Sequence, residues 1–394
     1  MAIFILGMRV GFITSEYPPN NPGGAGISSK LIVDSLRNEG IDVDVYATVG
    51  QETSATLQDG VYKLPDQSRY PGPKTIGENI SVFRHLPSLD QYDLLHVYNV
   101  RHLPGVVLRS SVPVVSTMNN HTWISPDAEQ HLREGLPRYD LPTIFRHSQT
   151  NGYTGIQAPI RSAIECIGKS IASRVDHYTV QTEGMKKVMT RSGYDPKKIE
   201  VIPNILDERF RPAEMNSESY ILFVGQLYDH KGPVEVIRAF DSLPRKIKNN
   251  WELRIYGKGE LKPKIEKILS DRSLTQVSIN YSSYTELPEV YANAGLLIHA
   301  SKYTEPFSRT WLEAMASGTP IVASENPSSS HILKDVAEFY DPFDTQALAE
   351  TLQEVLSDEK MRESMAKSGK REVEKYTPER VGKEYADLYN RIVS

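Results

Sequence analysis

Apolar and polar positions along the chain fall into short runs of two alternating kinds. Residues 9–14 read RVGFIT, an apolar run of strand length, followed by a turn-rich stretch, SEYPPNNPGG, and then ISSKLIVDSLRNEG. In this last segment Ile27, Leu31, Ile32 and Leu36 recur at helical spacing, and Gly40 stands where a helix would end. IDVDVYATV then alternates with the period of two that marks a strand. Strand, loop, helix and strand in this order form the unit from which parallel sheets are built. Strand patterns return at 92–100, 112–118 and 177–182.

From Tyr220 the alternation starts afresh. YILFVG predicts a strand, PVEVIRAFDSL an amphipathic helix, and WELRIYG and VSINY two further strands; LLIHAS and PIVASE flank the helix TWLEAMASG. Two stacked, doubly wound α/β domains require this restart. The Pro-, Asn- and charge-rich stretch 199–219 reads as the linker between them. The closing segment YTPERVGKEYADLYNRI predicts a helix capped by Thr377 with Pro378 at its first position.

A length of 394 residues exceeds what one core usually supports and agrees with two domains. A net charge of −5 argues against nucleic acid as a partner. Cys166 is the one cysteine, so no internal disulfide can form, and no Cys/His cluster has zinc spacing. Residues 1–7, MAIFILG, are too few to span a bilayer and lack the features of a secretory signal; the better opening strand after Met8 suggests that translation begins there. No longer apolar run predicts a transmembrane helix.

The strongest chemical signal is Glu305-Pro-Phe-Ser-Arg-Thr-Trp-Leu-Glu313, which sets two carboxylates eight residues apart, one in a loop and one inside the next helix. A carboxylate accepts paired hydrogen bonds from vicinal hydroxyls of a sugar or ribose. Between the two, backbone N–H groups of Phe307, Ser308 and Arg309 at the helix start favour an anion. One loop and helix could thus grip a sugar, a phosphate and a ribose. A capping acid followed by a surface acid accounts for the same spacing.

EPFSRTWLEAMASGTPIVAS resembles the E-x7-E signature of retaining GT-B glycosyltransferases, particularly the large family 4. VIPN before the linker, FVGQLYDHKG and LRIYGKG extend the resemblance over most of the chain. It implies an α/β, GT-B fold: two Rossmann-like doubly wound domains with an interdomain cleft and a C-terminal crossover helix. Residues 8–212 would form the acceptor domain, 213–375 the donor domain, and 376–394 a helix returning to the first. By resemblance, Glu305 contacts the donor sugar and Glu313 the nucleotide ribose, and Gly23 and Gly24 bring backbone N–H groups to the donor phosphate. Lys231 would neutralise the departing diphosphate. The family pattern has arginine where this chain has Gln226, which donates a hydrogen bond without charge; Arg309 is a candidate to compensate. The implied reaction moves a sugar from a UDP- or GDP-sugar to a hydroxyl of a glycan, lipid-linked or small-molecule acceptor. It needs no cofactor beyond the nucleoside diphosphate sugar as co-substrate, and no metal.

Several other features compete for a role. Gly24-Ala-Gly26-Ile-Ser-Ser29 approaches the dinucleotide fingerprint G-x-G-x-x-G, but Ser29 replaces the third glycine and the preceding loop is too long for the tight turn. Asp42 and Asp44 resemble a D-x-D metal motif, yet their alternation places both on the solvent face of a strand. Asn119 occupies the position of a family histidine that lines the sugar site, with His121 two residues on; either meets donor or acceptor, or His121 is a surface loop residue. His96, inside a strand, reads as structural, and Trp123 lines an acceptor cleft or belongs to the core. Arg133, Arg138, Arg146, Arg161, Lys186, Lys187 and Arg191 make the first half basic. That charge suits either a solvated helix face or a peripheral approach to an anionic membrane from the cytoplasm. A sugar-nucleotide-binding protein of weak or lost activity and a GT-B-like epimerase remain as alternative functions, the latter lacking an identifiable acid/base set.

Overall fold

The computed structural model describes residues 7–19, 23–48, 60–64, 74–98, 100–124, 140–150, 154–212 and 218–394. Residues 1–6, Arg133 and Arg138 lie outside the described residues. The first compact unit comprises residues up to Ile205 together with Pro378–Ser394, and the second is Leu206–Thr377.

In the first unit the strands are β1 (Arg9–Thr14), β2 (Asp42–Thr48), β3 (Val61–Leu64), β4 (Leu94–Val97), β5 (Val114–Thr117), β6 (His177–Val180) and β7 (Ile199–Val201). They form one sheet in the order β3-β2-β1-β4-β5-β6-β7, and every pairing is parallel. The second unit repeats the pattern with β8 (Glu218–Val224), β9 (Glu252–Tyr256), β10 (Val277–Asn280), β11 (Ala294–His299), β12 (Ile321–Ser324) and β13 (Ala337–Tyr340), ordered β10-β9-β8-β11-β12-β13. In both, the winding direction reverses beside the first strand, as a doubly wound fold requires.

Parallel strands carry helices on both faces, so their residues are buried whichever way they point. β4, β5, β11 and β12 are buried throughout, which is why they read as largely apolar rather than as alternating. Each sheet separates two apolar layers: Val10 and Phe12 of β1 enter one, Ile13 the other, and in the second unit Tyr220 and Leu222 of β8 oppose Ile221 and Phe223. β3, β7 and β13, of three or four residues, are too short to show a period and were not legible.

Three expectations need correction. The stretch 199–219 holds the division between the units, at Ile205–Leu206, but its described part is packed rather than open: β7 lies within it, Ile202 and Ile205 pack in the first core, and Leu206 and Phe210 pack in the second. The first helix runs Gly24–Asn38 and so begins three residues before its first apolar position, Ile27. Asp42 is exposed, but Asp44 on the same face is buried, because Arg9 Nη2 reaches it at 2.7 Å and the Tyr92 hydroxyl donates to it at 2.9 Å. Asp44 therefore serves as an anchor between β1, β2 and the start of β4.

The helix Pro378–Val393 belongs to the first unit, where Val381, Tyr385, Leu388 and Tyr389 are fully buried against the layer that holds Ile32, Val33 and Leu36. Tyr389 hydrogen-bonds His96 Nδ1, and His96 Nε2 pairs with Thr117 Oγ1 at 2.7 Å, so the C-terminal helix is tied to the centre of the sheet. Burial pushes the His96 imidazole down to about 3, and burial, then Arg101, pushes His102 down to about 4. Both rings are thus neutral in the folded state where the unfolded chain would bind protons, so stability falls as pH drops from about 6.5 towards 4. We expect a loss on the order of a few kcal/mol across that window in denaturant titrations. His96→Gln should flatten the slope, while Tyr389→Phe should cost about 1–2 kcal/mol at pH 7.

Candidate functional site

In the second sheet the order reverses between β8 and β11, and the loops that leave their carboxyl ends diverge there to open a crevice. After β8 the chain passes through Gly225 and the exposed Gln226 to the buried Leu227. The Leu227 N–H donates to the Lys258 carbonyl at 2.8 Å, and its own carbonyl accepts from Leu261 at 3.0 Å. One turn of 3₁₀ helix, Asp229–Lys231, follows and ends at Gly232 with φ 69°. A Cβ at Gly232 would lie 2.3 Å from the Ala300 carbonyl oxygen, so glycine alone lets this turn rest on the end of β11. Lys302 clamps it from the other side: its N–H donates to the His230 carbonyl at 2.8 Å, and its ammonium meets Asp229 at 2.9 Å and Glu235 at 3.0 Å.

This turn delivers Lys231 to Glu305. The ammonium pairs with Glu305 Oε1, donates to the Tyr303 hydroxyl at 3.2 Å and sits 4.9 Å over the Tyr303 ring. The Ser301 hydroxyl donates to the same carboxylate oxygen, and His299 Nε2 lies 3.4 Å away. Burial by itself would raise the Glu305 carboxyl, but Lys231 and then His299 outweigh it and hold the group well below the ordinary carboxylate range. Burial would likewise lower Lys231, and Glu305 and Tyr303 reverse that and raise it. Both groups are charged at neutral pH.

The second acid is held differently. Ser308 precedes the helix Arg309–Ser317 in extended conformation, and Glu313 lies one turn in. Glu313 is buried, with Arg309 Nε at 3.5 Å and the Tyr284 hydroxyl donating at 3.4 Å. Tyr284 accepts from Arg309 Nη2 at 2.7 Å and has the Arg209 guanidinium 5.1 Å from its ring centre; Arg209 in turn is bonded to Asp207. These are longer contacts than those of Glu305. Burial therefore prevails over Arg309, and the Glu313 carboxyl is raised.

Lys231 with Glu305, and Arg309 with Glu313, thus form two buried pairs in the second unit, on whose loops Gln226 and Ser308 also lie. The Phe307 ring is buried against Trp311 and Tyr376, at 5.7 and 5.6 Å, and belongs to the core, which leaves its backbone N–H as the group that could meet an anion. Arg309 does not stand in for a cation at position 226, since its guanidinium is buried on Tyr284 and Glu313. Gly23, Gly24, Asn119 and His121 belong to the first unit. Gly23 caps the helix Gly24–Asn38, its N–H donating at 2.9 Å to Glu16, which stands two residues beyond β1. Asn119 follows β5, and His121 is buried, which removes the surface-loop reading. Sequence reasoning passed over His299, Ser301, Tyr303 and Tyr284. Ser301 and Tyr303 stand four and two residues before Glu305 and could have been found by asking what satisfies a buried acid; Tyr284 comes from a different loop and left no local signal.

Comparison with known proteins agrees with this architecture. The model of the Glycosyltransferase Family 4 matches residues 22–210, and that of the Glycosyl transferases group 1 matches residues 204–372. An uncharacterized glycosyltransferase of Methanocaldococcus jannaschii is 26% identical over 97% of this chain and 98% of its own. The chain is a family 4 glycosyltransferase of GT-B fold. Sucrose-phosphate synthase from Thermosynechococcus elongatus superposes with a TM-score of 0.77 at 17% identity, over 98% of both chains. Anabaena HepE in complex with UDP-glucose gives 0.71 at 14% identity, over 97% of this chain and 99% of that one.

For this glycosyltransferase the Lys231–Glu305 pair makes a measurable demand on stability. Removing one partner leaves a buried charge uncompensated, so Lys231→Met should cost about 3–5 kcal/mol, whereas Lys231→Met combined with Glu305→Met should recover most of the loss. Because Glu305 is depressed, its share of stability is present above about pH 4.3 and lost as pH falls through its lower folded value. Because Lys231 is raised, its share is present below about pH 10.4 and lost as pH rises through its higher folded value. Denaturant unfolding of the wild-type, single-variant and double-variant proteins at pH values below, between and above these limits checks both statements.

Proposed function

We propose that this glycosyltransferase moves a sugar from a nucleoside diphosphate sugar, uridine- or guanosine-based, to a hydroxyl of a glycan, lipid-linked or small-molecule acceptor, with retention at the anomeric carbon. The observation that carries the reading is the convergence of Lys231, Glu305 and the start of the helix Arg309–Ser317 at the reversal between β8 and β11. A cation and helix N–H groups suit the diphosphate, and two carboxylates suit hydroxyls of sugar and ribose. A neighbour of the same fold holds UDP-glucose. The second unit is the donor domain in this reading and the first the acceptor domain, and Gly23, Gly24, Asn119 and His121 are assigned by the family resemblance to the donor phosphate and sugar.

In this mechanism the donor's C1–oxygen bond breaks as the acceptor oxygen bonds to C1 on the same face. The acceptor proton passes to the departing phosphate oxygen. Lys231 neutralises the charge that develops there. Glu305, committed to Lys231 and Ser301, is an ionised acceptor for sugar hydroxyls rather than a nucleophile. No metal and no further cofactor enters the scheme. Among the described residues no helix is long and apolar enough to cross a membrane; the reading places the enzyme in the cytoplasm, at the membrane's inner face where the acceptor is lipid-linked.

Gln226 favours a second reading, a sugar-nucleotide-binding protein of weak activity, because it is exposed and uncharged. A thermal-shift screen of UDP- and GDP-sugars should raise the unfolding temperature for the true donor. Glu313→Ala should abolish that shift and Asp42→Ala should leave it intact; equal shifts in both variants overturn the ribose assignment. Gln226→Arg should raise nucleotide release by about tenfold, a change of about 1.4 kcal/mol that one well-placed charge can supply. Under the binding-protein reading it releases none.

Donor hydroxyls favour ionised Glu313, whose carboxyl burial has raised. Binding should therefore weaken, and become coupled to proton release, as pH falls through that raised value. Calorimetry in buffers of different ionisation enthalpy measures the release, and its absence would place the ribose elsewhere.

A further inference from the structure

β11 is buried from end to end, yet its last residue carries an imidazole. His299 thus stands at the carboxyl end of a strand beside the reversal of the sheet, where ligands lie in doubly wound folds. Alternation along the strand gives it the face of Leu297, whose layer also holds Trp311. The indole of Trp311 meets the imidazole in a T-shaped contact, with ring centres 5.0 Å apart, and this packing fixes the ring. His299 Nδ1 is buried and has no hydrogen-bond partner among the described residues. An unpaired buried nitrogen is costly, and a leucine at the same place would carry no such cost. The other side of the ring has to account for the histidine.

There Nε2 lies 3.4 Å from Glu305 Oε1 and 3.4 Å from Ser301 Oγ. A lone pair on Nε2 would face an ionised carboxylate, so this nitrogen carries its hydrogen. Two long contacts suit one N–H shared between two acceptors. The Ser301 hydroxyl is free to accept from Nε2 because its own hydrogen goes to Glu305 Oε1. Lys231 donates to the same oxygen. Lysine, serine and histidine therefore converge on Oε1, and none of their hydrogen bonds goes to Oε2. A carboxylate oxygen has two lone pairs, so Lys231 and Ser301 fill Oε1 and His299 closes its flank.

We propose that His299 is a positioning residue, which holds Glu305 so that Oε2 alone is offered to a hydroxyl of the donor sugar. This rests on the reading of Glu305 as the acid that meets that sugar. Calorimetry on the full chain tests it by comparing UDP-glucose with UDP, and GDP-mannose with GDP. The quantity read is the affinity gained from the sugar, which wild type should show in one of the two pairs. Glu305→Gln should remove most of the gain, since the three hydrogen-bond donors hold the amide oxygen in place of Oε1 and leave an NH2 in place of Oε2. His299→Leu should reduce the gain about tenfold. It should leave the affinity for the bare nucleotide unchanged and the unfolding temperature no lower than in wild type. His299→Gln, whose amide nitrogen comes nearest the place of Nε2, should restore most of the gain; His299→Asn, whose amide matches Nδ1, should not.

The outcomes separate the two claims. If neither pair shows a gain in wild type, or Glu305→Gln keeps it, the donor reading fails and this inference falls with it. If Glu305→Gln loses the gain and His299→Leu keeps it, the inference alone fails. A lowered unfolding temperature in His299→Leu, with the bare nucleotide weakened as much as the sugar nucleotide, marks a histidine that merely supports the fold and also overturns it.

Discussion

The buried ion pair between Lys231 and Glu305 is the constraint around which the second unit's site is arranged. Taking two charges out of water is costly, and the cost is recovered only where geometry and further hydrogen bonds are good. Here Ser301 and Tyr303 supply those bonds, Gly232 permits the close packing that brings the lysine in, and Lys302 fixes the turn that carries it. The result is a fixed cation and a fixed anion at the one place in the sheet where two loops part. A charged ligand that enters there meets groups already desolvated and oriented.

The two acids of the 305–313 segment illustrate how environment separates chemically identical groups. Both are buried, yet Glu305 is lowered and Glu313 raised. The difference lies in contact distance and number: Glu305 has an ammonium and a hydroxyl in direct contact, while Glu313 has a guanidinium nitrogen at 3.5 Å and a phenol at 3.4 Å. One acid is a permanent anion. The other is raised by burial, and hydrogen-bond donors arriving from a ligand would lower it again.

The first unit uses buried polar groups for a different end. His96, Thr117 and Tyr389 form a chain of hydrogen bonds that joins the middle of the sheet to a helix nearly three hundred residues away in sequence. Arg9, Asp44 and Tyr92 do the same at the start of the sheet. Neither set faces the mouth of a loop, so both read as anchors.

Much of this was legible in the sequence because it depends on neighbours along the chain. Periodicity identified the strands β1, β4, β5, β8 and β11 and the helices that follow β8 and β11, and the spacing of Glu305 and Glu313 placed one acid in a loop and one in a helix. Tertiary structure alone decided the rest. Asp44 alternates like a surface residue but is buried by Arg9 from another strand; Phe307 sits in a ligand-like motif but turns its ring into the core; Arg309 carries a charge that a tyrosine from a distant loop consumes. Which acid is lowered and which raised also depends on partners from separate loops. Local pattern reports which way a backbone runs, whereas burial and charge depend on what else arrives at the same point in space, and that is set by the order of strands in the sheet.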